Sequence, residues 1–382
     1  MLVLLDLSAA FDTVDHRILL DRLQFDFGIS GSALNWIESY LSNRTQRIYI
    51  DGVLSSNFNL KFGVPQGSCL GPLLFSLYAS KLFKIVESHL PNSHCYADDT
   101  QLYIAFRSGN DLEETAAITA MESCIADISR WMHSDKLKLN SDKTECLLIG
   151  TRQQLQKVSN ISTLSVGDSQ IAPSSEVRNL GAWFDSKMSM LSHINKTCSS
   201  AFNYLYNMRR IRKYLSRSVT ESLVHAFITS RIDYCNSLLY GLPNSHIMKL
   251  QRIQNAAARL VTGTPRFCHV TPLLFHLHWL PISYRIKFKI LLLTFKCLYG
   301  QAPNYLIDFI TTKKQSKYSL RSNESIFLEL PCIKTHPTLG DRAFQSAAPY
   351  LWNALPSEIR NMKTLDTFKT AVKTHFFNLA FK

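Results

Sequence analysis

The chain opens on a short apolar run, Leu2 to Leu5, that breaks at Asp6. Such a run predicts a buried strand with a carboxylate at its exit, followed by a turn into a helix over about residues 15–23. Trp36 to Leu41 reads as the close of another helix. Arg47 to Ile50 predicts a strand, and the turn Asp51-Gly52 leads into the next. Glycines and prolines punctuate residues 63–72, a tight loop running into an apolar helix of about residues 72–88. His94 to Ile104 reads as strand, turn and strand, with Tyr96-Ala97-Asp98-Asp99 at the tip. Leu112, Ala116, Ile118, Met121, Ile125, Ile128 and Trp131 roughly follow helical spacing, so residues 111–132 are expected to be a helix with Asp111 as N-cap. Glu145 to Gly150 predicts a strand. Residues 1–185 thus read as α+β, with helices packed on one face of a mainly antiparallel sheet.

From about residue 188 the pattern turns helical. Helices are expected over 192–214, 219–234 and 247–262, and an apolar one near Ile290 to Phe295. The polar stretch 311–325 reads as a linker. A small helical unit closes the chain, with Ala343 to Leu351 and Thr364 to Phe377 as helices and Leu365, Phe368, Val372 and Phe376 sharing one face.

Charge sharpens this division. Residues 1–200 carry 17 basic and 21 acidic side chains, a net of −4, while 201–382 carry 25 and 8, a net of +17. Basic residues interleaved with tyrosines (Tyr204, Tyr206, Arg209, Arg210, Arg212, Lys213) suit phosphate contact with some stacking. Nine scattered cysteines contain no C-x-x-C pair, which argues against a zinc ribbon and for reduced thiols in an intracellular compartment. His269, His276 and His278 lack the carboxylate or cysteine company of a metal site. The N-terminal apolar run is too short for a signal peptide and contains Asp6. No apolar stretch is long enough for a membrane span.

The chemistry concentrates in carboxylates. Adjacent Asp98 and Asp99 at a hairpin tip repel each other, and a divalent cation held by hard oxygen ligands supplies a reason for the pairing. Asp6 is remote in sequence but meets them if its strand neighbours theirs. Two metals so bridged would serve an in-line phosphoryl transfer. Gln66, in the Gly/Pro loop, can hydrogen-bond a nucleotide or a template base.

The segments LDLSAAFDTVDH (from Leu5), GVPQGSCLGPLLF (from Gly63) and YADD (from Tyr96), in that order, resemble the reverse transcriptases of non-LTR, LINE-type retrotransposons, in the jockey-like group. The resemblance implies a right-hand polymerase: a palm over 1–185, an all-helical thumb over 186–262, a connecting segment and linker over 263–325 and a C-terminal helical region over 326–382. It implies Asp6, Asp98 and Asp99 as catalytic residues holding two Mg²⁺ ions. It implies Phe11 as the ring that excludes ribonucleotides, Pro65, Gln66 and Gly67 as a nucleotide-contacting element, and Lys143 as a triphosphate contact. Asn179 to Phe184 resembles the family's primer-grip strand. The implied partners are an RNA template, a DNA primer and deoxynucleoside triphosphates, in a nuclear or cytoplasmic ribonucleoprotein, with no membrane. In the family a fingers region precedes the first catalytic strand, so an N-terminally truncated chain is expected here, with a nucleic-acid-binding remnant as the alternative to an active enzyme.

Overall fold

The computed structural model describes residues 1–89, 92–158, 161–313, 326–331 and 339–382. Most of the stretch read as a linker over 311–325, and Cys332, lie outside the described residues. The chain divides into two compact units, Met1–Met188 and Ser189–Lys382.

The first unit runs β1 (Leu2–Leu5), α1 (His16–Phe25), α2 (Gly31–Leu41), then four two-residue strands, β2 (Thr45–Gln46), β3 (Tyr49–Ile50), β4 (Val53–Leu54) and β5 (Phe58–Asn59). It continues with α3 (Gly71–Tyr78), α4 (Lys81–Glu87), β6 (Ser93–Tyr96), β7 (Asp99–Tyr103), α5 (Asp111–Ser134), β8 (Glu145–Leu147) and α6 (Arg152–Lys157). Two hairpins end it: β9 (Leu164–Val166) with β10 (Ser169–Ile171), and β11 (Glu176–Asn179) with β12 (Ala182–Asp185).

The central sheet has the order β6-β7-β1-β8 and is antiparallel throughout. Its register explains the site. Val3 lies opposite Leu102 on one side and Cys146 on the other. These three are fully buried and face a core shared with Leu19 and Leu23 of α1, Phe75 and Tyr78 of α3, and Met121, Ile125 and Ile128 of α5. Leu4, one residue on, pairs with Gln101 and Glu145. Side chains alternate along a strand, so Leu4, Gln101 and Glu145 occupy the opposite face, and Asp6 and Asp99 fall in step with them.

Several elements differ from expectation. The helix expected over 72–88 is two helices, α3 and α4. The reason is Arg22, whose Nη1 donates to the Tyr78 carbonyl. Leu82 N, which would close a helical bond to that carbonyl, donates instead to Ala79 O at 3.0 Å. The cap of α5 is Asn110, not Asp111: its side chain accepts from Glu113 N at 3.4 Å, and Asp111, Glu113 and Glu114 fill the first turn, where negative charge is favoured. The strand expected over 47–50 keeps only Tyr49 and Ile50. The 179–184 segment is the turn of the β11–β12 hairpin rather than one strand.

In the second unit follow α7 (Leu191–Ile211), α8 (Arg217–Val224), α9 (Ser230–Asp233), α10 (Asn244–Thr262), α11 (Thr271–His276), α12 (Ile282–Leu298) and α13 (Asn304–Ile307). The last three are α14 (Phe344–Asn353), α15 (Ser357–Arg360) and α16 (Leu365–Phe381). A π-helical turn over His225–Thr229 interrupts the helix expected over 219–234. Phe295 of α12 stacks on Phe368 of α16 at 4.5 Å, and Trp352 of α14 stacks on the same ring at 5.5 Å. Phe368, Val372 and Phe376 are buried, the apolar face read in α16. Among the described residues, no helix is long and apolar enough to cross a membrane, and all eight described cysteines are free.

Candidate active site

β1 delivers Asp6 to the sheet end where β6 and β7 turn. Tyr96 pairs with Asp99, so the turn between them is only Ala97 and Asp98. Ala97 takes a left-handed φ of 54° to close it. After Asp6 the chain runs beside the segment that follows α5: Asn140 N donates to Asp6 O at 2.9 Å, and Asn140 Nδ2 to Asp6 Oδ2 at 3.2 Å. Lys143 Nζ stands 3.8 Å from Asp6 Oδ2 and is largely exposed.

Asp6, Asp99, Asp142, Lys143, Glu145 and Arg178 line one cleft of about 500 Å³. Leu180 at the β11–β12 turn lines it too. Gln101 Nε2 donates to Asn179 Oδ1 at 3.0 Å and ties this hairpin to β7. Leu180 and Gly181 have φ of 46° and 84°, the left-handed pair of a two-residue I′ turn. Leucine is a poor choice for that position, which lies in the lining of the cleft.

Partial desolvation raises the Asp99 carboxyl above the ordinary carboxylate range, and the charges of Asp98 and Asp6 push it the same way. Asp99 therefore senses the charges of both other carboxylates. Their oxygens are hard donors of the kind Mg²⁺ takes. Among the described residues, however, no three His, Cys, Asp or Glu side chains are grouped closely enough to hold a metal ion. The donor chemistry fits a divalent cation, and the grouping is not made.

The other expected residues lie apart from the cleft. Asp98 does not line it. Phe11 is half-buried and packs on Phe75, ring centroids 5.0 Å apart. Pro65 and Gln66 line a separate cleft of about 310 Å³ with Asp12, His16 and Arg44. There Gln66 Nε2 donates to both Asp12 carboxylate oxygens, at 3.0 and 3.1 Å. The loop is fixed to the segment after Phe11 by Val64 N donating to Phe11 O at 2.8 Å. Gly63, at φ 90°, is required there, since a Cβ would stand 2.9 Å from Asp12 O. Gly67 takes φ 78° and lines neither cleft. Asn140, Asp142, Glu145 and Arg178 received no role from sequence. Strand alternation would have placed Glu145, opposite Leu4, on the face of Asp6; the rest depend on loop paths that carry no sequence signal.

The family model of reverse transcriptase (RNA-dependent DNA polymerase) matches residues 1–184. The probable RNA-directed DNA polymerase from transposon X-element of Drosophila melanogaster is 26% identical over 277 residues, covering 70% of this chain and 29% of that protein. The RNA-directed DNA polymerase from mobile element jockey of the same species is 24% identical over 274 residues, covering 68% and 28%. The chain thus spans about three-tenths of the length of these relatives. A solved telomerase from Candida albicans, in complex with a fragment of telomeric RNA, aligns over 80% of this chain and 49% of that one at 12% identity. Its TM-score of 0.32 is too low to bear on the fold. Residues 1–184 thus carry a reverse transcriptase domain, and the chain is similar, at about 25% identity, to the RNA-directed DNA polymerases of Drosophila non-LTR retrotransposons.

Proposed function

We propose that this chain is the RNA-directed DNA polymerase part of a non-LTR retrotransposon protein, extending a DNA primer on an RNA template. In this reading residues 1–185 are the palm, 186–262 the thumb, 263–325 a connecting segment and 326–382 a C-terminal helical region. The observation that carries it is the cleft in which Asp6 and Asp99, from neighbouring strands, share one sheet face with Lys143 inside a reverse transcriptase match.

Asp6, Asp98 and Asp99, not grouped around a common point in this structure, would have to turn their carboxylates together to hold two Mg²⁺ ions, as the family resemblance implies. When bound, such ions ease deprotonation of a primer 3′-hydroxyl and neutralise the departing pyrophosphate. Lys143 would exchange its weak contact with Asp6 for a triphosphate oxygen, since an exposed pair of this length contributes little. Arg178, on the hairpin rim of the same cleft, is placed for a phosphate of the primer or the nucleotide. Phe11, held by Phe75, would block a ribose 2′-hydroxyl. Pro65, Gln66 and Gly67 would contact the nucleotide or template, with Gln66 released from Asp12.

The experiment is primer extension on an RNA template with deoxynucleoside triphosphates and Mg²⁺, beside an Asp98→Asn variant. Metal-dependent extension that the substitution abolishes is expected. A chain that binds primer–template but never extends it would reject catalysis. That outcome belongs to a second reading, nucleic-acid binding without chemistry, which the net charge of +17 over residues 201–382 favours.

A further inference from the structure

A cleft in the second unit lies far along the chain from the carboxylates and has no part in the reaction above. It encloses about 660 Å³, within the range that holds a small ligand. One wall is apolar, with Leu277, Trp279, Phe288 and Leu292. Three lysines line it, Lys289 from α12 and Lys369 and Lys373 from α16. Lys369 makes only an exposed contact with Asp366, 3.3 Å away. Lys289 and Lys373 have no carboxylate partner among the described residues.

The cleft is built rather than incidental. Its Arg285 is committed to Asp233, with Nε donating to Oδ1 at 2.8 Å and Nη2 to Oδ2, so this cation fixes the wall. Asn236 beside it is 4% exposed, and its Oδ1 is buried without a hydrogen-bond partner. An unmade bond on a buried amide is costly and calls for a donor. His225 lines the same cleft and opens the π-helical turn. Such turns recur at functional sites because they shift one residue out of the helical row.

We infer that this cleft binds a nucleoside phosphate: the phosphate on Lys289, Lys369 and Lys373, and the base against the apolar wall near Asn236. The ligand is anionic because Glu221 is the one acid of the lining not engaged by an arginine, against three lysines. It is part apolar because a bare phosphate would leave the Phe288 wall wet. The shared chemistry fits either a free nucleotide or one nucleotide of a single strand. The choice of nucleic acid as probe rests on the polymerase reading.

The test uses the full chain and a labelled ten-nucleotide single strand, followed by fluorescence anisotropy across a salt series. The variant is Lys289→Ala with Lys373→Ala, both outside the carboxylate cleft. Affinity should fall about tenfold, and the slope of log K against log salt should lose roughly 1.4, since each phosphate contact on a single strand contributes about 0.7. A charge-matched control, Lys363→Ala with Lys382→Ala, should leave both unchanged. Displacement by a deoxynucleoside monophosphate assigns the cleft to free nucleotides; displacement only by oligonucleotides assigns it to a strand. Wild-type affinity and slope in the double variant, equal losses in the control, or displacement by inorganic phosphate as effective as by nucleotide would each overturn the inference. Primer extension by the wild-type chain is measured separately, so a failure of the polymerase reading is told apart from a failure of this one.

Discussion

Asp99 holds a negative charge where partial desolvation and two neighbouring aspartates all disfavour it. That is a stability cost, of the kind that functional sites commonly accept. Replacing the charge with a neutral amide of the same shape removes the repulsion. Asp99→Asn should therefore raise the melting temperature of the metal-free chain by about 2 °C, a small gain because the residue is exposed to screening solvent. It should also reduce primer extension to background. A scanning calorimetry run settles the first half; a lowered melting temperature would mean that Asp99 supports the fold by contacts rather than straining it by charge. This residue was legible in sequence because adjacent aspartates in a turn are a local pattern. Arg178 was not, since its place in the cleft depends on how the β11–β12 hairpin docks through Asn179 and Gln101. The strain at Leu180 was hidden for the same reason: a leucine announces a left-handed φ only once the register of its hairpin is known.

Elements in the first unit are tied together by a buried polar network that no periodicity announces. Arg22 of α1 is 4% exposed, contacts Asp135 at 2.6 Å just past α5, and donates to the Tyr78 carbonyl at the end of α3. The Tyr78 hydroxyl donates to the Asp135 carbonyl, and burial pushes its pKa up to about 12, so the phenol stays a donor at any ordinary pH. Removing one partner strands a buried charge. Arg22→Ala should cost about 3 kcal/mol in urea unfolding, far beyond an exposed arginine. A loss below roughly 0.5 kcal/mol, the scale of a surface pair, would show that the network contributes little. The same network ended α3 early. Leu74, Tyr78, Leu82 and Val86 repeat every four residues, so the apolar pattern reads as one helix across the break. In α7 a different group titrates. Burial lowers the pKa of His193, so the folded state prefers the neutral ring while the unfolded chain takes a proton near pH 6.5. Its contribution is complete above that pH and is lost as pH falls toward the lower folded value. Melting temperature should therefore drop between about pH 7 and 5 more steeply in wild type than in His193→Gln. Parallel curves for the two chains would remove His193 from the account.

Over the whole molecule, charge separates what apolar patterning leaves alike. Both units bury ordinary cores, yet residues 201–382 carry a net of +17 against −4 before them. A surplus of this size, carried on the helices of the second unit, suits the phosphates of a nucleic acid. Release of condensed cations then dominates binding, and each phosphate neutralised on a duplex adds about 0.9 to the salt slope. If six or more of the surplus charges engage an RNA–DNA duplex, affinity should fall at least about a thousandfold between 50 and 200 mM salt. The dependence should persist in Asp6→Asn, whose loss concerns chemistry and not grip. An affinity flat across that range would leave the basic half without its partner, and would point instead to a surface charged only for solubility.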